Sequence, residues 1–147
     1  LWESGVIHYF LGDAKRGLSL LQQAVAQDGT LKSNPQSLAD PIVGSLIKQM
    51  DFESQVNWGQ ILRLFCEAPL GLLSRLRLIP YVLGTTHMTL AFRYYEQQCI
   101  GKVRRNLPLG VCYMPRWLMN RGVWSIGIEA FLGKPVADLL RQRKWSG

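Results

Sequence analysis

The amino-acid sequence predicts an all-α fold of eight or nine helices. Apolar residues recur at three- and four-residue spacing along most of the 147 residues. No long segment alternates with period two, and no Asn-Gly turn joins β-branched runs. Asp, Pro and Gly stand where such helices would start and stop.

Residues 1–12 read as the first helix, with Trp2, Val6, Tyr9 and Phe10 on one stripe and Gly5 and Gly12 as small positions. Asp13 is placed to cap the second helix, whose apolar face is Ala14, Leu18, Leu21 and Val25. Asp28-Gly29 stops it, with Gly29 as a left-handed cap. A turn this short makes the two helices antiparallel. Residues 29–40 form a polar connection with a turn at Asn34-Pro35. Asp40-Pro41 predicts the next start, Asp40 as cap and Pro41 in the first turn. Ile42, Val43, Leu46, Ile47 and Met50 continue that helix. A helix over 53–67 follows, with Val56, Ile61, Leu64 and Phe65 on its apolar face. Pro69 opens another, carrying Leu70, Leu73, Leu76 and Ile79, and Pro80 helps to end it.

The chain is organised around Gly84–Trp124, which holds six of its fifteen aromatic residues and a cluster of arginines. Met88, Ala91, Phe92 and Tyr95 follow the helical period. Gly101 breaks the chain, and Val103, Leu107, Val111 and Met114 form the next stripe. Pro108 predicts a kink or an early end there, because it removes a donor and clashes with the preceding turn. Pro115 starts a further helix to about Met119. Val123, Ile126, Ala130 and Phe131 then carry the apolar face to Gly133. Lys134-Pro135 begins a last helix to Lys144, with Val136, Leu139 and Leu140 buried and a basic end that suits a helix C-terminus.

Apolar residues at 48% and charged residues at 18% exclude a disordered chain, and the length allows a real core. The net charge of +7 is uneven. Residues 1–70 hold five basic and seven acidic residues, whereas 71–147 hold twelve and three. Such a basic half fits an acidic partner, anionic lipid headgroups or nucleic acid, or a merely solvated face. Cys66, Cys99 and Cys112 have no ligand spacing and read as small core residues in a reducing compartment. The longest uncharged run, 78–92, is 15 residues and holds Pro80 and Gly84, too short and broken to span a bilayer. Asp51-Phe52-Glu53 reads as a helix-end charge pair rather than a metal site, with no strand before it. No Gly-rich phosphate loop is present. His8 and His87 read as packing residues, because no Ser, Cys or Asp pairs with either. Tyr94, Tyr95, Tyr113, Trp117 and Trp124 could line a groove but read mostly as core.

Gly5, Gly12, Gly17, Leu21 and Ala24 fall at the offsets where tetratricopeptide helical pairs keep small residues at the crossing and large ones in the shared core. The region 1–29 therefore resembles such a pair, with Gly29 for the usual Pro and Leu1 at the early Trp position. The region 84–116 resembles a second, with Leu90, Ala91, Tyr94, Leu107, Gly110 and Pro115 in place and Gln98 where Gly is usual. Residues 41–80 are inserted helices and 117–145 terminal ones. Over about 86–133 the chain looks like the helical tail of certain bacterial family 2 glycosyltransferases. It carries Pro115-Arg116-Trp117-Leu118 and Asn120-Arg121-Gly122 where those tails carry their signature. Leu107-Pro108-Leu109 departs from their straight helix.

The resemblance implies a single non-catalytic interaction domain. It would be the C-terminal part of a longer protein whose separate domain transfers a sugar from a nucleotide-sugar. The alternative is a stand-alone adaptor for a protein or peptide. No catalytic residue, metal or cofactor is expected in this segment. Arg93, Arg104, Arg105, Arg116 and Arg121 are the candidate binding residues, since guanidinium forks suit phosphate and carboxylate. The expected partners are a protein or the chain's own catalytic domain, then an anionic membrane surface. No nucleic-acid module is recognised. A cytoplasmic location, peripheral at the inner membrane face, goes with that expectation.

Overall fold

The computed structural model describes residues 1–28, 35–53 and 58–143. These form α1 (Trp2–Phe10), α2 (Ala14–Gln27), α3 (Pro35–Glu53), α4 (Trp58–Glu67), α5 (Leu72–Glu96), α6 (Ile100–Tyr113), a 3₁₀ helix (Pro115–Met119), α7 (Arg121–Leu132) and α8 (Lys134–Arg143). The fold is all-α, with no strand among the described residues. The chain divides into two compact units, Leu1–Val82 and Leu83–Gly147. The expectations placed on Gly29, Asn34, Val56 and Lys144, and on the side chains of Met50, Leu73, Leu139 and Leu140, lie outside the described residues.

In the first unit α1 and α2 touch through backbone. A Cβ on Gly17 would lie 2.7 Å from the Tyr9 amide nitrogen and 2.8 Å from the Gly5 carbonyl oxygen. One on Gly5 would lie 2.9 Å from Leu21 Cγ. Gly5 and Gly17 are thus crossing positions, and Val6, Tyr9, Leu21, Ala24 and Val25 are buried on the same two helices. Gly12 acts differently. At φ +96° it turns the chain between the helices, a conformation that side chains rarely adopt. The Asp13 carboxylate accepts the Arg16 amide at 3.2 Å and caps α2 as expected. The Trp2 indole donates to the Leu38 carbonyl at 3.0 Å and ties α1 to α3.

The Tyr9 phenol donates to Glu67 at 3.0 Å. Burial, and then that carboxylate, push its pKa up from 10.0 to about 12. The fold therefore prefers the neutral phenol. The stability this confers is complete below pH 10 and is lost as pH rises toward about 12. Native chain and Tyr9→Phe are expected to converge in melting temperature across that window. A constant gap in thermal melts would show that Tyr9 does not titrate this way.

Three prolines sit inside helices, against expectation for Pro41 and Pro80, whereas Pro108 reads as interior to its helix in the sequence as well. Pro41 lies within α3, which starts at Pro35, so Asp40 caps nothing. Pro80 lies within α5 and does not end it. Pro108 lies within α6, which runs on to Tyr113. In each case the buried stripe continues across the proline: Leu38, Ile42 and Leu46; Leu78 and Val82; Val103, Leu107 and Gly110. Breaking the helix would expose two or more apolar side chains at about 1.5–3 kcal/mol each, against about 3 kcal/mol for the proline. Pro69 opens no helix either, since α5 begins at Leu72.

In the second unit the later part of α5 and α6 form an antiparallel hairpin. Gly110 faces Met88, and Gly84 faces Met114. The turn falls at Gln97–Cys99, and Gly101 lies within α6, so the break at Gly101 is corrected by two residues. Gln98 holds the turn at φ +58°, which explains why glycine is the better residue there. Gln98→Gly is expected to stabilise the protein by roughly 0.5–1 kcal/mol in urea melts. Met88, Ala91, Val103, Leu107, Val123, Ile126 and Ala130 form the core of this unit.

Candidate functional site

The signature Pro115–Gly122 builds a corner. Pro115 opens the 3₁₀ helix, and Trp117 meets Phe92 edge-on at 6.3 Å between ring centres. The Trp124 indole donates to the Leu118 carbonyl at 2.6 Å. The Asn120 side chain accepts the Gly122 amide at 2.8 Å and caps α7. This corner returns α7 antiparallel to α6. Gly127 then faces Leu107, and Arg104 Nε donates to the Ala130 carbonyl at 2.6 Å. Ala130 is in the last turn of α7, where carbonyls lack helical partners, so Arg104 completes that end.

Between α6 and α7 lies an open cleft of about 340 Å³, and every residue lining it is apolar. Leu107 and Val111 form one wall, Ile128 and Phe131 the other, with Leu118 and Trp124 at the corner. Several lining side chains stay largely in solvent: Trp124 is 55% exposed, Phe131 51% and Leu132 61%. Met119, which follows the lining residue Leu118 in the chain, is 88% exposed. The expectation that Phe131 continues the buried face is therefore corrected. The core-facing stripe of α7 is Val123, Ile126 and Ala130. Trp124, Ile128 and Phe131 belong to a second stripe that faces the cleft. That second stripe was the available signal, because a surface helix ordinarily needs only one.

The candidate arginines do not converge. Arg104 stands at the Ala130 end of the cleft and is otherwise exposed. Arg121, the first residue of α7, is exposed at the other end. Nine residues of helix separate Arg121 from Ala130, about 14 Å of rise. Arg105 and Arg116 are exposed, and Arg93 is half-buried on α5. No single clamp for one phosphate results. The arrangement is an apolar trough with a cation toward each end.

The other candidate side chains have structural roles. Tyr94 lies under the Lys102 ammonium at 4.8 Å, and the Tyr95 hydroxyl donates to Glu129 at 2.6 Å. His87 stacks on Tyr113, and its Nδ1 lies 2.9 Å from Asn106 Oδ1. Asn106 donates its amide to the Lys102 carbonyl, so its oxygen accepts from His87. Cys66 and Cys112 are exposed and Cys99 is half-buried, so the cysteines are not core residues. Among the described residues no group of three or more His, Cys, Asp or Glu is arranged to hold a metal. Among them, too, no helix is long and apolar enough to cross a membrane.

Compared with known proteins, the chain matches no family model, no curated protein and no solved structure.

Proposed function

We propose that this chain is a non-catalytic helical interaction module that serves a separate catalytic domain. The cleft between α6 and α7 carries the reading. Its lining offers no acid, base or nucleophile, and it leaves large apolar side chains in solvent. Contiguous exposed apolar surface of this kind marks association sites. Arginines near it add charge selectivity rather than chemistry.

The catalytic partner in this proposal is a family 2 glycosyltransferase domain. The support is the signature Pro115–Leu118 and Asn120–Gly122, whose residues here build the corner of the cleft. A place at the inner face of a membrane belongs to the same proposal. A stand-alone adaptor is the second reading, favoured by the glycine crossings at Gly5 and Gly17 and at Gly110.

A photo-crosslinking residue at Leu132, compared with one at Lys15 in the first unit, tests both. The expected result is a protein adduct at 132 whose peptides map to a nucleotide-sugar transferase domain. An adduct to an unrelated protein would favour the adaptor, and the absence of any protein adduct would overturn the interaction reading.

A further inference from the structure

We infer that the cleft takes an amphipathic α-helix of a partner protein, with acidic residues beyond both ends of its apolar ridge. This rests on the interaction reading and names the partner's chemistry.

The cleft wall is apolar throughout. An extended peptide laid in it would leave backbone N–H and C=O groups without partners, a costly burial. A helix satisfies those groups internally and presents only side chains. The trough between two antiparallel helices has the shape that a side-chain ridge of a third helix fills. Its open rim of Trp124, Phe131 and Leu132 gives such a ridge large contact surfaces.

Charge sets the partner's ends. Arg104 and Arg121 flank the trough about 14 Å apart along α7, or some nine residues of a docked helix. Acidic residues beyond an apolar stripe of i, i+3, i+4 and i+7 would meet them. The wider field has the same sign, since residues 83–147 hold ten basic and three acidic residues. One of those three, Glu129, already accepts the Tyr95 hydroxyl. An anionic lipid surface shares the charge but not the shape, because a planar interface reaches the rim and leaves the concave floor unfilled.

The test is selection of peptides displayed on a fixed helical scaffold against the full chain. The Phe131→Ser chain serves as counter-target. The expected winners carry an apolar i, i+4, i+7 stripe with Asp or Glu beyond each end. Synthetic copies should bind about tenfold more weakly to Phe131→Ser and about two- to fivefold more weakly to Arg121→Gln. They should also weaken as salt rises. If Phe131→Ser loses its helical circular dichroism, Leu132→Ser, at a 61% exposed position, replaces it. Winners without acidic bias, or indifferent to both cleft variants, overturn the inference while the interaction reading survives. No helical winner, together with cleft-dependent recovery on phosphatidylglycerol vesicles, overturns both and assigns the cleft to lipid.

Discussion

Gly17→Ala is expected to destabilise the protein by about 2–3 kcal/mol, although alanine is the better helix former. The new methyl would meet Tyr9 N at 2.7 Å, the Gly5 carbonyl oxygen at 2.8 Å and Tyr9 Cα at 2.9 Å. All three are backbone atoms, so no side chain can rotate away. Either α1 lifts off α2, or both deform. Lifting α1 disturbs the buried Trp2, Val6 and Tyr9 together. Gly44→Ala is the control. It too lies inside a helix, but a Cβ there meets nothing within 4 Å. It should gain roughly 0.5–1 kcal/mol from helix propensity alone. Urea melts followed by circular dichroism measure both, and effects of the same sign would refute the backbone-contact account.

Gly110→Ala is the second large effect, about 2 kcal/mol, with a different cause. Its Cβ would meet Met88 Sδ at 2.5 Å and Cγ at 2.6 Å, whereas the nearest backbone atom, Met88 N, is at 3.1 Å. Here the obstacle is a flexible side chain, confined because Met88 is 1% exposed. Shortening Met88 should therefore relieve the clash. Met88→Ala alone leaves a cavity worth about 2–5 kcal/mol. The double variant should be more stable than the sum of the singles by about 1–2 kcal/mol. Strict additivity in this double-mutant cycle would mean that the two positions do not meet.

These two glycines also show what the sequence made legible. Small residues at helical offsets announced the crossings at Gly5, Gly17 and Gly110, because a Cβ at each would run into the facing helix, its backbone at Gly17 and a buried side chain at Gly5 and Gly110. Asp13 announced its cap by the same local logic. Prolines misled for a physical reason. Pro41 and Pro80 each look like boundaries from local cost, yet burial on both sides outweighs one missing bond. Gly101 misled similarly: the turn went to Gln98, which bears a left-handed backbone without being glycine.

The cleft was the least legible part. Its walls come from residues some twenty positions apart, Leu107 and Val111 against Ile128 and Phe131. They meet only because the Pro115–Asn120 corner reverses the chain. Read along α7 alone, Trp124 and Phe131 are simply apolar residues awaiting a core. Their two-stripe spacing becomes informative once one stripe is seen to satisfy the core. The arginines were found in sequence as a cluster, but the same reversal spreads Arg104 and Arg121 to opposite ends.

The uneven charge has a further consequence for how molecules of this protein behave toward one another in solution. Residues 1–82 hold seven basic and seven acidic residues, so all of the net +7 lies in the unit that bears the cleft. Two molecules approaching cleft to cleft bring like charge together before any apolar contact forms. The sticky face thus carries its own colloidal protection. Raising ionic strength shortens the reach of that repulsion to about 3 Å at 1 M. Concentrated samples should accordingly stay monodisperse in dilute buffer and begin to self-associate as salt is added.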